Sequence, residues 1–101
     1  MSRENITAAE LREREDVTVI DIRKNPDDRR IPGSLRMEGA DLESTAPPIA
    51  KDQPVVLYCG SGNSCTRIAA TLRERGYDAV ALDGGYAAWK GAGFATEPRP
   101  S

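Results

Sequence analysis

Three short apolar runs punctuate this 101-residue chain, and the segments between them carry helical patterns. The runs are Val17-Thr18-Val19-Ile20-Asp21, Pro54-Val55-Val56-Leu57-Tyr58 and Ala79-Val80-Ala81-Leu82. Each is short, apolar and bounded by turn residues, which suits a strand buried on both faces. Strands that alternate with helices predict an α/β fold, with a mostly parallel sheet flanked by helices in three layers. In such sheets ligands bind beyond the C-terminal ends of the strands. Asp21 and Cys59 both stand at such ends.

The intervening segments fit this scheme. Thr7-Ala8-Ala9-Glu10 has capping-box spacing and predicts a short helix from Thr7 to about Arg14. The stretch from Arg23 to Gly33 holds two prolines and a charge cluster and reads as a loop. Ser34 to Met37 reads as a short, more exposed strand. In Asp41 to Ile49, Asp41 is a candidate cap for a short helix that Pro47-Pro48 ends. Cys65, Ile68, Ala69 and Leu72 share one face of a helix running to about Arg75, and Gly76 is placed to stop it. Gly84-Gly85 turns the chain into a last helix from Tyr86 to Lys90. The whole chain, 1–101, reads as one domain, with a tail expected to fray from Pro98.

Cys59 carries the chemical signal. A polar loop follows it, Gly60-Ser61-Gly62-Asn63-Ser64, and then the helix that contains Cys65. Glycines let backbone N–H groups turn inward and form an anion-binding concavity. The helix N-terminus adds partial positive charge. Both favour a thiolate over a thiol, and the thiolate is the nucleophile.

Composition removes several alternatives. The chain has no histidine, so Ser-His-Asp and Cys-His catalysis are excluded and a transition-metal site is not expected. Charges nearly balance at a net -2, with no basic stripe for nucleic acid. No apolar run approaches the roughly 18 residues of a membrane span. Two cysteines are too few for a disulfide scaffold, and no signal-peptide pattern stands at the N-terminus. The expectation is a cytoplasmic monomer with reduced thiols, no metal and no cofactor.

Four pieces, in order, resemble the rhodanese-like sulfurtransferase family. Val19-Ile20-Asp21-Ile22-Arg23 is similar to its strand ending in Asp-x-Arg. Ile31-Pro32-Gly33-Ser34 is similar to its Ile-Pro-Gly-Ala turn. The Tyr58 to Ser64 segment resembles its active-site loop. Asp83-Gly84-Gly85-Tyr86-Ala87-Ala88-Trp89 resembles its closing Gly-Gly-x-x-Ala-Trp signature. The resemblance implies a five-stranded parallel sheet. It implies that Cys59 accepts a sulfane sulfur as a persulfide and passes it to a thiophilic acceptor. The amides of Gly60, Ser61, Gly62, Asn63, Ser64 and Cys65 would then surround the outer sulfur. Asp21, Arg23, Gly84 and Gly85 would support the site. The implied partners are a small-molecule or protein persulfide donor and a thiol or cyanide-like acceptor.

The loop departs from the family where arginine is frequent, carrying Gly60 at the second position and Ser64 at the sixth. Thiosulfate is a dianion best held by a fixed cation, so it is expected to be a poor donor. Arg30 stands where histidine often precedes the Ile-Pro-Gly turn, and a shorter loop predicts a more open rim. A non-enzymatic sulfur carrier or redox sensor is the alternative function. A cysteine phosphatase is remote, because the arginine its chemistry needs is replaced by Cys65. Cys65 itself has two readings, a resolving thiol or an apolar residue of the helix face. Ser61 and Ser64 are candidate donors to the outer sulfur, with Ser64 also a candidate cap. Arg67 shares the polar helix face of Thr71 and Glu74 and reads as solvated. Trp89 reads as a core anchor. Asp27-Asp28-Arg29-Arg30 reads as a solvated loop, with partner docking as the alternative.

Overall fold

The computed structural model describes residues 5–44, 49–60 and 63–99. Its elements are β1 (Asn5–Ile6), α1 (Ala8–Arg12), β2 (Thr18–Asp21), β3 (Arg29–Arg30), β4 (Leu35–Arg36), α2 (Gly39–Ser44), β5 (Val55–Tyr58), α3 (Asn63–Glu74), β6 (Ala79–Leu82), α4 (Gly85–Gly91) and β7 (Glu97–Pro98). Five strands form one parallel sheet in the order β1-β6-β5-β2-β4. In the central pair, Ile20 lies opposite Leu57 and Asp21 opposite Tyr58. That register brings the C-terminal ends of β2 and β5 level.

Alternation along the strands divides the interior in two. One cluster takes Ile20 and Ile22, Val55, Leu57 and Cys59, and Ala79 and Ala81, and packs them under Leu42 of α2 and Cys65, Ile68, Ala69 and Leu72 of α3. The other takes Val56, Tyr58 and Leu82 and packs them under Leu11 of α1 and Tyr86 and Trp89 of α4. Each fully buried large apolar side chain stabilises the fold by about 1.5–3 kcal/mol. The result is three layers, helix pair on sheet on helix pair.

Local chemistry sets the helix ends. Thr7 Oγ1 accepts the Glu10 N–H at 3.1 Å while Glu10 Oε1 accepts the Thr7 N–H at 3.2 Å, which is the expected capping box. α1 closes two residues before the expected Arg14, because the Glu13 N–H folds back onto the Glu10 carbonyl at 3.2 Å. α3 ends in a Schellman motif. Gly76, at φ +93°, gives its N–H to Arg73, and Tyr77 gives its own to Leu72. α2 starts at Gly39, before the expected cap at Asp41. The Asp41 and Leu42 N–H groups instead bond the Glu38 carbonyl. Pro47 and Pro48 lie outside the described residues.

Two expectations are corrected. The segment read as a plain loop between Arg23 and Gly33 contains β3, and the tail expected to fray from Pro98 contains β7. The two pair antiparallel, Arg29 opposite Pro98 and Arg30 opposite Glu97. Arginine side chains secure the clasp. Arg29 donates to the Thr96 hydroxyl at 3.0 Å and its carbonyl at 2.6 Å, and Arg30 binds Glu97 at 2.6 Å. The Arg99 N–H donates to the Asp28 carbonyl at 2.9 Å. Proline is tolerated in such an edge strand because its missing N–H faces no partner. Within the Asp27 to Arg30 cluster, Arg29 and Arg30 therefore form an internal strap, while Asp27 and Asp28 stay exposed. No helix among the described residues is long and apolar enough to cross a membrane.

Candidate active site

β5 delivers Cys59 to the C-terminal edge of the sheet, where the residue is only 6% exposed. Cys59 nevertheless lines a pocket of about 380 Å³. Gly60 and Ser64 continue the rim. α3 begins at Asn63, two residues ahead of the expected start at Cys65, and this brings a helix N-terminus close to Cys59. Ser61, Gly62 and the side chain of Asn63 lie outside the described residues.

The double glycine explains how the loop is oriented. Gly84 adopts a left-handed φ of +74°, and a Cβ there would come within 2.7 Å of the Ala88 side chain. Only glycine lets α4 begin this close to β5. Its first amides are then spent on the loop. The Tyr86 N–H donates to the Cys59 carbonyl at 2.7 Å, and the Ala87 N–H donates to the Gly60 carbonyl at 3.1 Å. Both carbonyls are thereby drawn toward α4. The contact from this turn to the loop is made through the backbone of α4.

Asp21 and Arg23 form a buried ion pair beside the site, with Arg23 Nη2 to Asp21 Oδ2 at 2.7 Å. Arg23 Nε also reaches Asp21, Nη1 donates to Asp27 at 3.2 Å, and Nη2 donates to the Arg29 carbonyl at 2.7 Å. The guanidinium lies 4.1 Å from the Tyr86 ring centroid. Burial works against its charge, but Asp21 outweighs that and holds the pKa of Arg23 above its ordinary value. Arg23 reaches the pocket wall only as the edge of this network. The pair ties the end of β2 to the strap. The Ile31 to Ser34 turn is anchored similarly. The Tyr58 hydroxyl takes the Ile31 N–H at 3.3 Å and shares a 3.0 Å hydrogen bond with Ser34.

The second cysteine lies next to the first. Cys65 is fully buried among Ile68, Ala69 and Leu72, yet its sulfur is 3.4 Å from that of Cys59. Neither residue is in a disulfide. Contact with the Cys59 sulfur, then burial, pushes the Cys65 thiol far above its ordinary value. Cys65 therefore keeps its proton near neutral pH.

Sequence reasoning missed part of the wall. Lys24, Asn25, Glu38 and Gly39 border the pocket, and so does Arg67, which is exposed as expected but also faces the site. A signal existed. Lys24 and Asn25 directly follow the end of β2, and Glu38 and Gly39 follow the end of β4. In a parallel sheet, segments just past the strands gather on one edge. Arg30 departs from the rim. It bonds Glu97 and the Ser34 carbonyl on the far side of the strap.

Comparison with known proteins agrees with this architecture. The family profile described as the rhodanese-like domain matches residues 6–92. The thiosulfate sulfurtransferase GlpE of Coxiella burnetii is 30% identical over 89 residues, covering 85% of this chain and 83% of that protein. A tRNA sulfurtransferase of Desulfurococcus amylolyticus is 32% identical over 77 residues, 74% of this chain but only 15% of that protein's length. Among solved structures, a rhodanese-related protein from Thermoplasma volcanium superposes with a TM-score of 0.84 at 23% identity, covering 94% of this chain and 98% of that one. The profile takes in both cysteines, the buried Asp21–Arg23 pair and the double glycine, and on that match the chain belongs to the rhodanese-like domain family.

Proposed function

We propose that this chain is a sulfurtransferase in which Cys59 carries sulfane sulfur as a persulfide. The observation that supports it most is the setting of Cys59. Its sulfur borders a pocket at the strand ends, beside a helix N-terminus, and its own carbonyl is held by α4. The Cys59 thiolate attacks the outer sulfur of a donor persulfide, and the donor leaves as a thiol. The new persulfide carries its charge on the outer sulfur. The N-terminal end of the α3 dipole stabilises that charge. Cys65 stays protonated 3.4 Å from the Cys59 sulfur, so on loss of the Cys59 proton its thiol is placed to turn and donate to the thiolate. A thiol or cyanide-like acceptor then takes the outer sulfur, and Cys59 returns as thiolate. No imidazole is needed, and the sequence holds none.

Persulfides, rather than thiosulfate, are the donors on this reading. The pocket wall sets Lys24 and Arg67 against Glu38, and the loop offers no arginine. A dianion therefore meets a mixed field instead of a fixed, bidentate cation. The test is direct. The protein is incubated with thiosulfate or with a low-molecular-weight persulfide, with cyanide as acceptor, and thiocyanate is measured. Turnover is expected with the persulfide, weakly with thiosulfate, and not at all in Cys59→Ala. Equal turnover by the alanine variant refutes the proposal. Uptake of sulfur with no turnover selects the carrier reading. The phosphatase reading predicts hydrolysis of an aryl phosphate, which we expect to be absent.

A further inference from the structure

We propose that Cys65 is a resolving thiol, which attacks the inner sulfur of a Cys59 persulfide and expels the outer sulfur as hydrogen sulfide. The proposal rests on the persulfide reading of Cys59 and adds a second fate for the bound sulfur. Its basis is an arrangement of two thiols on opposite sides of one wall. The sulfurs are 3.4 Å apart. Cys59 borders the pocket, whereas Cys65 is 0% exposed and packs against Ile68, Ala69 and Leu72 in the core. An outer sulfur on Cys59 finds its room in the pocket. Cys65 then faces the inner sulfur from the sealed side. Exchange at sulfur proceeds by attack on one sulfur while its partner departs. Here the attacking and departing atoms have separate spaces, and the product leaves through the pocket.

The helix fixes the attacker. Cys65 lies in the first turn of α3, and its sulfur also reaches the Leu82 carbonyl at 3.9 Å. A disulfide brings two sulfurs to about 2 Å, so the remaining approach is small. The step balances. The Cys65–Cys59 sulfur bond forms and the bond from Cys59 to the outer sulfur breaks. The electron pair and the Cys65 proton leave with the outer sulfur as hydrogen sulfide or its anion. The sulfane sulfur is reduced, and the two thiols are oxidised to a disulfide. An external thiol, small or protein-borne, reduces that disulfide by exchange and restores the pair. The proton on Cys65 keeps it from competing with Cys59 for the donor.

The reduced chain is loaded with inorganic polysulfide in the absence of other thiols, and the excess is removed. Sulfide is followed with a selective electrode and the protein by intact mass. Wild type is expected to release an equimolar pulse of sulfide and to end lighter by two hydrogens, with Cys59 and Cys65 linked in a digest. Cys65→Ala and Cys65→Ser are expected to stay heavier by one sulfur and to release no pulse. A wild-type persulfide as long-lived as that of the variants overturns the proposal, and so does a pulse from either variant. If neither wild type nor variants take up sulfur, the persulfide reading of Cys59 fails and this proposal with it. The wild-type arm and the serine variant keep the test decisive should the alanine variant not fold.

Discussion

The two faces of the sheet are built from different materials. The face under α2 and α3 is aliphatic, with both cysteines set into it and Tyr77 as its one aromatic. The face under α1 and α4 holds Tyr58, Tyr86 and Trp89, with Phe94 packed against them. On the aromatic face the rings are fixed by specific contacts. Tyr58 and Tyr86 stack at 5.9 Å, and Trp89 meets Phe94 edge-on at 5.2 Å while its Nε1 donates to the Ala95 carbonyl. The other face carries Cys59, which lines the pocket of about 380 Å³ at the strand ends. A cavity of about 600 Å³ lies on the aromatic side, where Trp89 and Phe94 line it. The lesson is a division of materials across one β-layer, with the large rings concentrated on one side and both cysteines on the other.

Four experiments break or sharpen that contrast. Cys59→Ala should abolish sulfur transfer altogether. Because only one small buried sulfur is removed, it should cost about 1 kcal/mol of unfolding free energy. A collapse of the urea midpoint instead would mean that the aliphatic face is structural after all. Trp89→Ala should do the opposite. It removes the largest ring from the aromatic face and should cost about 3–5 kcal/mol in urea unfolding, with Cys59 alkylation preserved in whatever remains folded. Gly84→Ala should lie between the two. A left-handed backbone and the 2.7 Å approach to Ala88 should cost about 1–3 kcal/mol. It should also slow alkylation of Cys59, since α4 would lose its hold on the Cys59 and Gly60 carbonyls. An unchanged alkylation rate would disconnect α4 from the nucleophile.

The smallest effect concerns pH. The folded Cys65 pKa is raised from an ordinary 9.0, so the unfolded chain loses that proton first. The contribution is fully present below pH 9.0 and is lost as pH rises above it. Wild-type stability should therefore fall by an extra ~1.4 kcal/mol per pH unit above that value, relative to Cys65→Ala. Tyr58, whose pKa burial also raises, acts in the same direction and cancels in the comparison. Parallel alkaline profiles in the two proteins would show that Cys65 ionises freely and is not sealed.

What was legible in the sequence followed from local pattern. β2, β5 and β6 announce themselves through apolar runs, and the capping box at Thr7 through spacing alone. Cys59 stood out because a strand, a small-residue loop and a helix meet there. The clasp between β3 and β7 gave no such signal. Each strand is two residues long, and the pairing joins Arg29 to Pro98 across most of the chain. Charged residues there looked solvated because their partners, Thr96 and Glu97, are remote in sequence. The pocket wall was half legible. Lys24 and Glu38 follow strand ends, but their convergence on Cys59 depends on strand order, which a single sequence does not encode locally.

Tyr86 belongs to both sides of the molecule. Its ring stacks on Tyr58 and lies 4.1 Å from the Arg23 guanidinium, while its N–H donates to the Cys59 carbonyl at 2.7 Å. A tilt of α4 large enough to repack the rings would tug on the peptide that carries the sulfur. A substitution in the aromatic layer can therefore be felt at Cys59 on the opposite side, even in a variant that folds perfectly well.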